Sequence, residues 1–169
     1  MQRIGWVGTV LLATACGGRA TDVQTRSGDV AFAGTTAYFL TTTRAAIGLP
    51  DGGTVPINLL QLDIHASADG CGPWQGVVPP ARSVLAVSLI RPEPTPITPG
   101  RYSVSLDTVI DGAWVLFTHQ EPAGGIILPA VSGQVDLARL SETAAAGSVD
   151  VTLQDGSRLE GDFSASPCP

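Results

Sequence analysis

A chain of 169 residues with a formal charge of −6 and 14% charged residues is long enough to bury a real core as one domain, and no second domain is needed. All nine basic residues are arginine and none of them form a basic stripe. Nucleic-acid binding therefore has no electrostatic footing, and charge cannot supply adhesion to anionic lipid.

Arg3 is followed by an apolar run from Ile4 to Leu12 and then by Ala13-Thr14-Ala15-Cys16-Gly17-Gly18. A bilayer span needs about twenty apolar residues. A charged start, a short apolar centre and small residues before a cut site instead make an export signal. The segment Leu12-Ala13-Thr14-Ala15-Cys16 resembles the lipobox of bacterial lipoproteins. That resemblance implies a diacylglyceryl group on the Cys16 sulfur and cleavage before it. It also implies an envelope location, with Gly17 pointing to the outer membrane rather than retention in the inner one. Ala13-Thr14-Ala15 also fits the ordinary signal-peptidase site, which would release a freely secreted protein. Cysteine arithmetic bears on the choice: the cysteines are Cys16, Cys71 and Cys168. Consuming Cys16 as a thioether leaves Cys71 and Cys168 as an even pair for a structural disulfide in an oxidising compartment. A loop near 100 residues closed this way gains up to about 4.7 kcal/mol in the chain-entropy model. The reading divides the chain into a signal peptide over 1–15, a lipidated cysteine with a flexible tether over 16–28, and one domain over 29–169. A twelve-residue tether after Cys16 would reach at most about 40 Å.

Twenty glycines and thirteen prolines shorten helices and favour strands joined by turns. Asp29 to Ala33 and Thr36 to Thr43 read as strands broken at Gly34, and Asp51-Gly52-Gly53 as a turn. Ile57 to His65 alternates, with Leu60, Leu62 and Ile64 on one face and Gln61, Asp63 and His65 on the other. Ser67 to Pro80 is a loop holding Cys71 and Trp74. Val84 to Ile90 is apolar on both faces, the mark of a strand covered on two sides. Pro92, Pro94, Pro96 and Pro99 impose an extended connection. Arg101 to Val109 turns Tyr102, Val104 and Leu106 inward. Ala113 to His119 is again apolar on both faces, and a Pro/Gly stretch from Pro122 to Pro129 follows. Leu137 to Ala146 has helical spacing, but alternation from Gln134 favours a strand to about Leu140 and then a turn. Ser148 to Gln154, the two-residue hairpin signal Asp155-Gly156 and Ser157 to Ala165 close the chain. The return strand buries Leu159 and Phe163 and exposes Arg158, Glu160 and Asp162. Eight or nine short strands predict an all-β fold, an antiparallel sandwich of the immunoglobulin or jelly-roll kind.

The last third resembles the terminal meander of uncharacterised bacterial lipoproteins. Gly133, Val135 and Leu137 form the first matching segment, and Gly147, Ser148, Val151 and Leu153 the second. Gly161, Phe163 and Cys168 form the third. The resemblance implies a β-sandwich and no known activity.

Chemistry is sparse. There is no G-x-S-x-G and no H-E-x-x-H, so no catalytic residue is singled out. Asp63 and His65 could give two metal ligands, but a stable site needs three or four, so His65 reads as an exposed strand histidine and His119 as a surface strand end. Asp51-Gly, Asp69-Gly, Asp111-Gly and Asp155-Gly lack calcium-loop spacing and read as turns. Tyr102 and Trp114 read as core and Trp74 as packing over the disulfide, rather than as a sugar-stacking surface. No cofactor or metal is implied. The expected partner is the membrane, through the N-terminal lipid, with an envelope protein or glycan as a further partner. The resulting expectation is a non-enzymatic binding or structural module. The alternatives are an exported carboxylate-dependent hydrolase and a small-ligand binder in a barrel mouth.

Overall fold

The structure, a computed structural model, describes residues 21–27, 30–49, 51–66, 82–106, 110–121 and 124–168. It is all-β, as the alternation predicts. Among the described residues ten strands follow one another: β1 (Asp22–Ser27), β2 (Val30–Gly34), β3 (Thr36–Gly48), β4 (Thr54–His65), β5 (Arg82–Pro92), β6 (Gly100–Ser105), β7 (Gly112–Glu121), β8 (Gly124–Leu140), β9 (Ala145–Leu153) and β10 (Arg158–Pro167).

The ladder closes on itself. It runs β10–β3–β4–β5–β7–β8–β9 and returns from β9 to β10. Two strands are shared between neighbours to make this possible. The 17-residue β8 pairs with β7 from Gly124 to Pro129 and with β6 from Ser132 to Leu137. Along β10, residues Leu159 to Asp162 pair with β1, while Ala165 to Pro167 pair in parallel with β3. Closure removes the unpaired edges that an open sheet would present, and among the described strands β2, paired with β1 alone, stays an edge. The β1–β2 hairpin extends from β10 and leans on the opposite wall, where the Phe32 ring meets Phe117 edge-on at 5.4 Å between centroids.

The core is the inward row of every strand, with Leu60, Leu62, Ile64, Leu85, Val87 and Phe117 all fully buried. Each such side chain contributes about 1.5–3 kcal/mol by leaving water. Tyr102 belongs to the same core, and its hydroxyl donates to the Thr98 carbonyl at 2.6 Å and accepts from the Thr98 N–H at 3.1 Å. That contact pins the proline-rich connection, with the Arg91 guanidinium 5.1 Å from the Tyr102 ring centroid on the other side.

Several sequence expectations change in detail. The flexible tether expected over 16–28 is overturned at Asp22–Ser27, which is a strand with alternate burial. Its inward row is Thr21, Val23, Thr25 and Ser27. The three hydroxyls hide the pattern, since they satisfy backbone and turn groups instead of packing apolar surface. Thr21 donates to the Ser164 carbonyl at 3.1 Å, Thr25 to the Arg158 carbonyl at 2.8 Å, and Ser27 to the Asp155 carboxylate. The Pro/Gly stretch is strand from Gly124 to Pro129, because β7 supplies a partner for it. The β9–β10 connection is also not a two-residue turn. The Gly156 N–H donates to the Leu153 carbonyl at 2.9 Å, which centres the turn on Gln154 and Asp155 and leaves Gly156 at φ 85° to close it. Leu137 to Leu140 is strand, with the turn after it, as the alternation favoured.

Candidate functional site: an acidic groove

The sheet's most distinctive surface lies on the outer side of β8, β9, β10 and β1. Register places two rows of side chains across these strands. One row reads Gln134, Asp150, Glu160 and Gln24, and the other reads Asp136, Ser148, Asp162 and Asp22. Together they line a shallow groove of about 940 Å³. Alternation causes this composition: the partners of these residues along each strand, such as Val135, Val149, Val151 and Leu159, are buried in the core.

Two glycines let the strands approach closely beneath the groove. Gly161 has φ 147°, and a Cβ there would stand 1.9 Å from the Asp22 carbonyl oxygen. Gly133 has φ 124°, and its Cβ would stand 2.3 Å from the Asp150 carbonyl oxygen. Glycine is the residue that tolerates both demands.

Like charges directly opposite on a sheet repel, and here Asp150 faces Glu160 while Asp162 faces Asp22. Arginines offset part of this. Arg158 grips Asp150 with two bonds of 2.9 Å and reaches Glu160 at 3.1 Å. Arg101 reaches Asp136 at 3.1 Å. The Arg158 hydrogen bond holds the Asp150 carboxyl below the usual aspartate range, and the same contact raises Arg158. These pairs are solvated, so each adds little to stability. A general acid needs a raised pKa, and Asp150 moves the other way.

The residues singled out from sequence are dispersed. Cys16, Cys71, Trp74 and the Asp69-Gly70 turn lie outside the described residues. Cys168 follows β10, and its N–H donates to the Phe39 carbonyl at 3.0 Å. His65 is fully buried rather than exposed, with its ring edge-on to Tyr38 at 5.9 Å. Asp63 and Ser88 on the same outer face are buried too, so this wall is covered on both sides, which alternation alone cannot reveal. His119 is half-buried and inward-facing, bonded through Nδ1 to Ser83 Oγ at 2.7 Å. Ser83 and His119 are cross-strand partners that continue the rows of Leu85 and Phe117, so the pair satisfies two polar groups at the end of the core. Trp114 is 44% exposed and not core, because Ala113, Val115 and Phe117 take the inward positions. Asp51 and Asp155 serve their turns: Asp51 accepts from the Gly53 N–H at 2.9 Å and Asp155 from the Ser157 N–H at 3.0 Å. Asp111 pairs with Arg91 at 3.6 Å. Among the described residues no three His, Cys, Asp or Glu side chains converge as a metal ion requires.

The groove itself was not singled out from sequence. Glu160 and Asp162 are legible there as outward-facing, but no local signal says that β8, β9 and β1 align their own carboxylates beside them. No family model matches the sequence, and no curated protein or solved structure matches it either.

Proposed function

We propose that the protein is exported, acylated on Cys16 and held on the bacterial envelope, at the outer membrane. In this reading its β body is a non-enzymatic module that presents the acidic groove to another envelope protein or glycan. The observation that supports binding over catalysis is the groove's construction. Five carboxylates, from Asp22, Asp136, Asp150, Glu160 and Asp162, project from four adjacent strands, which hold them in fixed register over a rigid core. The competing hydrolase reading also rests on this groove, on Asp150 opposite Glu160. The Arg158 guanidinium pairs with both of these carboxylates, and Asp150, lowered rather than raised, is not the general acid that such a pair requires.

In an oxidising envelope the pairing of Cys71 with Cys168 follows. Mass spectrometry of the oxidised chain should read about 2 Da below the dithiol, the mass of two hydrogens. Two free thiols in the exported protein would refute the bridge.

The decisive experiment has two arms. Cells fed a labelled fatty acid should label the native chain and not Cys16→Ser; label on the variant removes the anchor reading. Photo-crosslinkers at Gln24 and Gln134 should yield adducts with envelope components, whereas one at Gln154, beyond the groove, should not. A silent groove in folded protein would end the binding reading.

A further inference from the structure

The start of β1 sets how far the body can stand from its anchor. Thr21 is already part of the fold: it is buried, and its hydroxyl donates to the Ser164 carbonyl and accepts from the Ser164 N–H, each at 3.1 Å. Only residues 17–20 separate Cys16 from Thr21. However arranged, that length reaches no further than about 18 Å, less than half of the stand-off a twelve-residue tether would allow.

β1 also gives the body a direction. It runs from Thr21 at one end to Ser27 at the other, where Ser27 meets Asp155 in the β9–β10 turn. The Thr21 end carries the β8–β9 turn as well, because β9 begins at Ala145, paired with Ala165, next to Ser164. The nine residues of β9 rise about 30 Å between the two turns.

We propose that the end of the body bearing Thr21 and the Ser141–Ala144 turn is a membrane-facing surface that lies against phospholipid headgroups, with the Asp155-Gly156 turn pointing away from the bilayer. The proposal rests on the attachment of lipid at Cys16. Charge counts against lying on the β1 side. The wall beside β1 carries the groove's carboxylates, and laying that wall on an anionic leaflet brings like charges within the Debye length, about 10 Å at 0.1 M salt. The short reach from residue 16 holds the Thr21 end down and repulsion keeps the acidic wall off the leaflet, so in this orientation the groove runs up the side of the body, open to partners from the aqueous phase.

The test uses the mature chain attached at residue 16 to a maleimide phospholipid, in vesicles of phosphatidylethanolamine and phosphatidylglycerol with nitroxide-labelled headgroups. A small fluorophore is introduced as an unnatural amino acid at Glu142 or at Gln154, both exposed. The synthetic anchor is present whether or not a cell acylates Cys16, so failure of the anchor reading and failure of this orientation are separate results. The Glu142 probe is expected to be quenched several-fold more strongly than the Gln154 probe. Inserting about twenty Gly/Ser residues after Gly18 should remove the difference by lengthening the reach. Equal quenching of the two probes in the unlengthened chain, or stronger quenching at Gln154, overturns the orientation. A difference that survives the insertion overturns the short reach as its cause.

Discussion

β5 buries residues on both of its faces from Ser83 to Leu85 and from Val87 to Ile90, whereas β9 buries only its alternate row, from Ala145 to Leu153. The first strand stands for the wall of β4 and β5, where Asp63, His65, Val84 and Ser88 are buried on the outer side as well as the leucines within. The second stands for the wall of β8, β9, β10 and β1, where an apolar inner row backs a solvated acidic one. A wall covered twice is committed to holding the fold. A wall covered once keeps a face that can change its chemistry without touching the core, and the groove is found there.

Substitutions should separate the walls in a graded way. The greatest damage is expected where the acidic wall depends on glycine. Gly161→Val drives a side chain into the Asp22 carbonyl at a left-handed φ, and overpacking plus backbone strain should remove about 4 kcal/mol in urea denaturation. A wild-type midpoint would break the claim that close strand approach builds this wall. Next comes the doubly covered wall: Leu85→Ala should lose about 3 kcal/mol through transfer and cavity terms, read from the same denaturation curve. Thr25→Val, which keeps the shape but deletes the hydroxyl bonded to Arg158, should lose about 1 kcal/mol. A stabilised variant would show that the inward hydroxyls of β1 are replaceable by apolar surface.

Two smaller effects depend on pH. The Ser157 hydroxyl, then the Ser27 hydroxyl and the Ser157 N–H, hold Asp155 below its ordinary value of 3.8. A carboxyl depressed in the folded state contributes stability that is fully present above 3.8 and is lost as the pH falls through its lower folded value. The stability gap between wild type and Asp155→Asn should therefore be widest at neutral pH and narrow on acidification through that window; a gap independent of pH would contradict it. Smallest of all, Arg158→Gln should leave melting almost unchanged while the Asp150 carboxyl moves up toward the ordinary aspartate range in an NMR titration. An unmoved Asp150 would mean that the bidentate pair does not persist in solution.

Legibility differed by wall for a physical reason. Val84 to Ile90 declares its double burial through a continuous apolar run. Val135, Val151 and Phe163 declare single burial through alternation. β1 declares neither, because Thr21, Thr25 and Ser27 use hydroxyls where other strands use hydrocarbon, so a buried strand resembles a polar tether. The half of the groove on β10 was readable as an exposed row at Glu160 and Asp162. The other half depended on which strands lie beside β10, and Asp22 came from a segment not expected to fold at all.

Local periodicity, turn residues and an N-terminal pattern around Cys16 were enough to specify an all-β body and to raise the expectation of export, because each acts within a few residues along the chain. Neighbour relations were decided by the tertiary structure alone: the return of β9 to β10, the burial of His65, the exposure of Trp114 and the alignment of carboxylates across four strands. A strand's two-residue period states which side chains share a face. It carries no information about which distant strand will supply the hydrogen bonds, and here those bonds make a strand of Asp22–Ser27, whose sequence reads as polar chain.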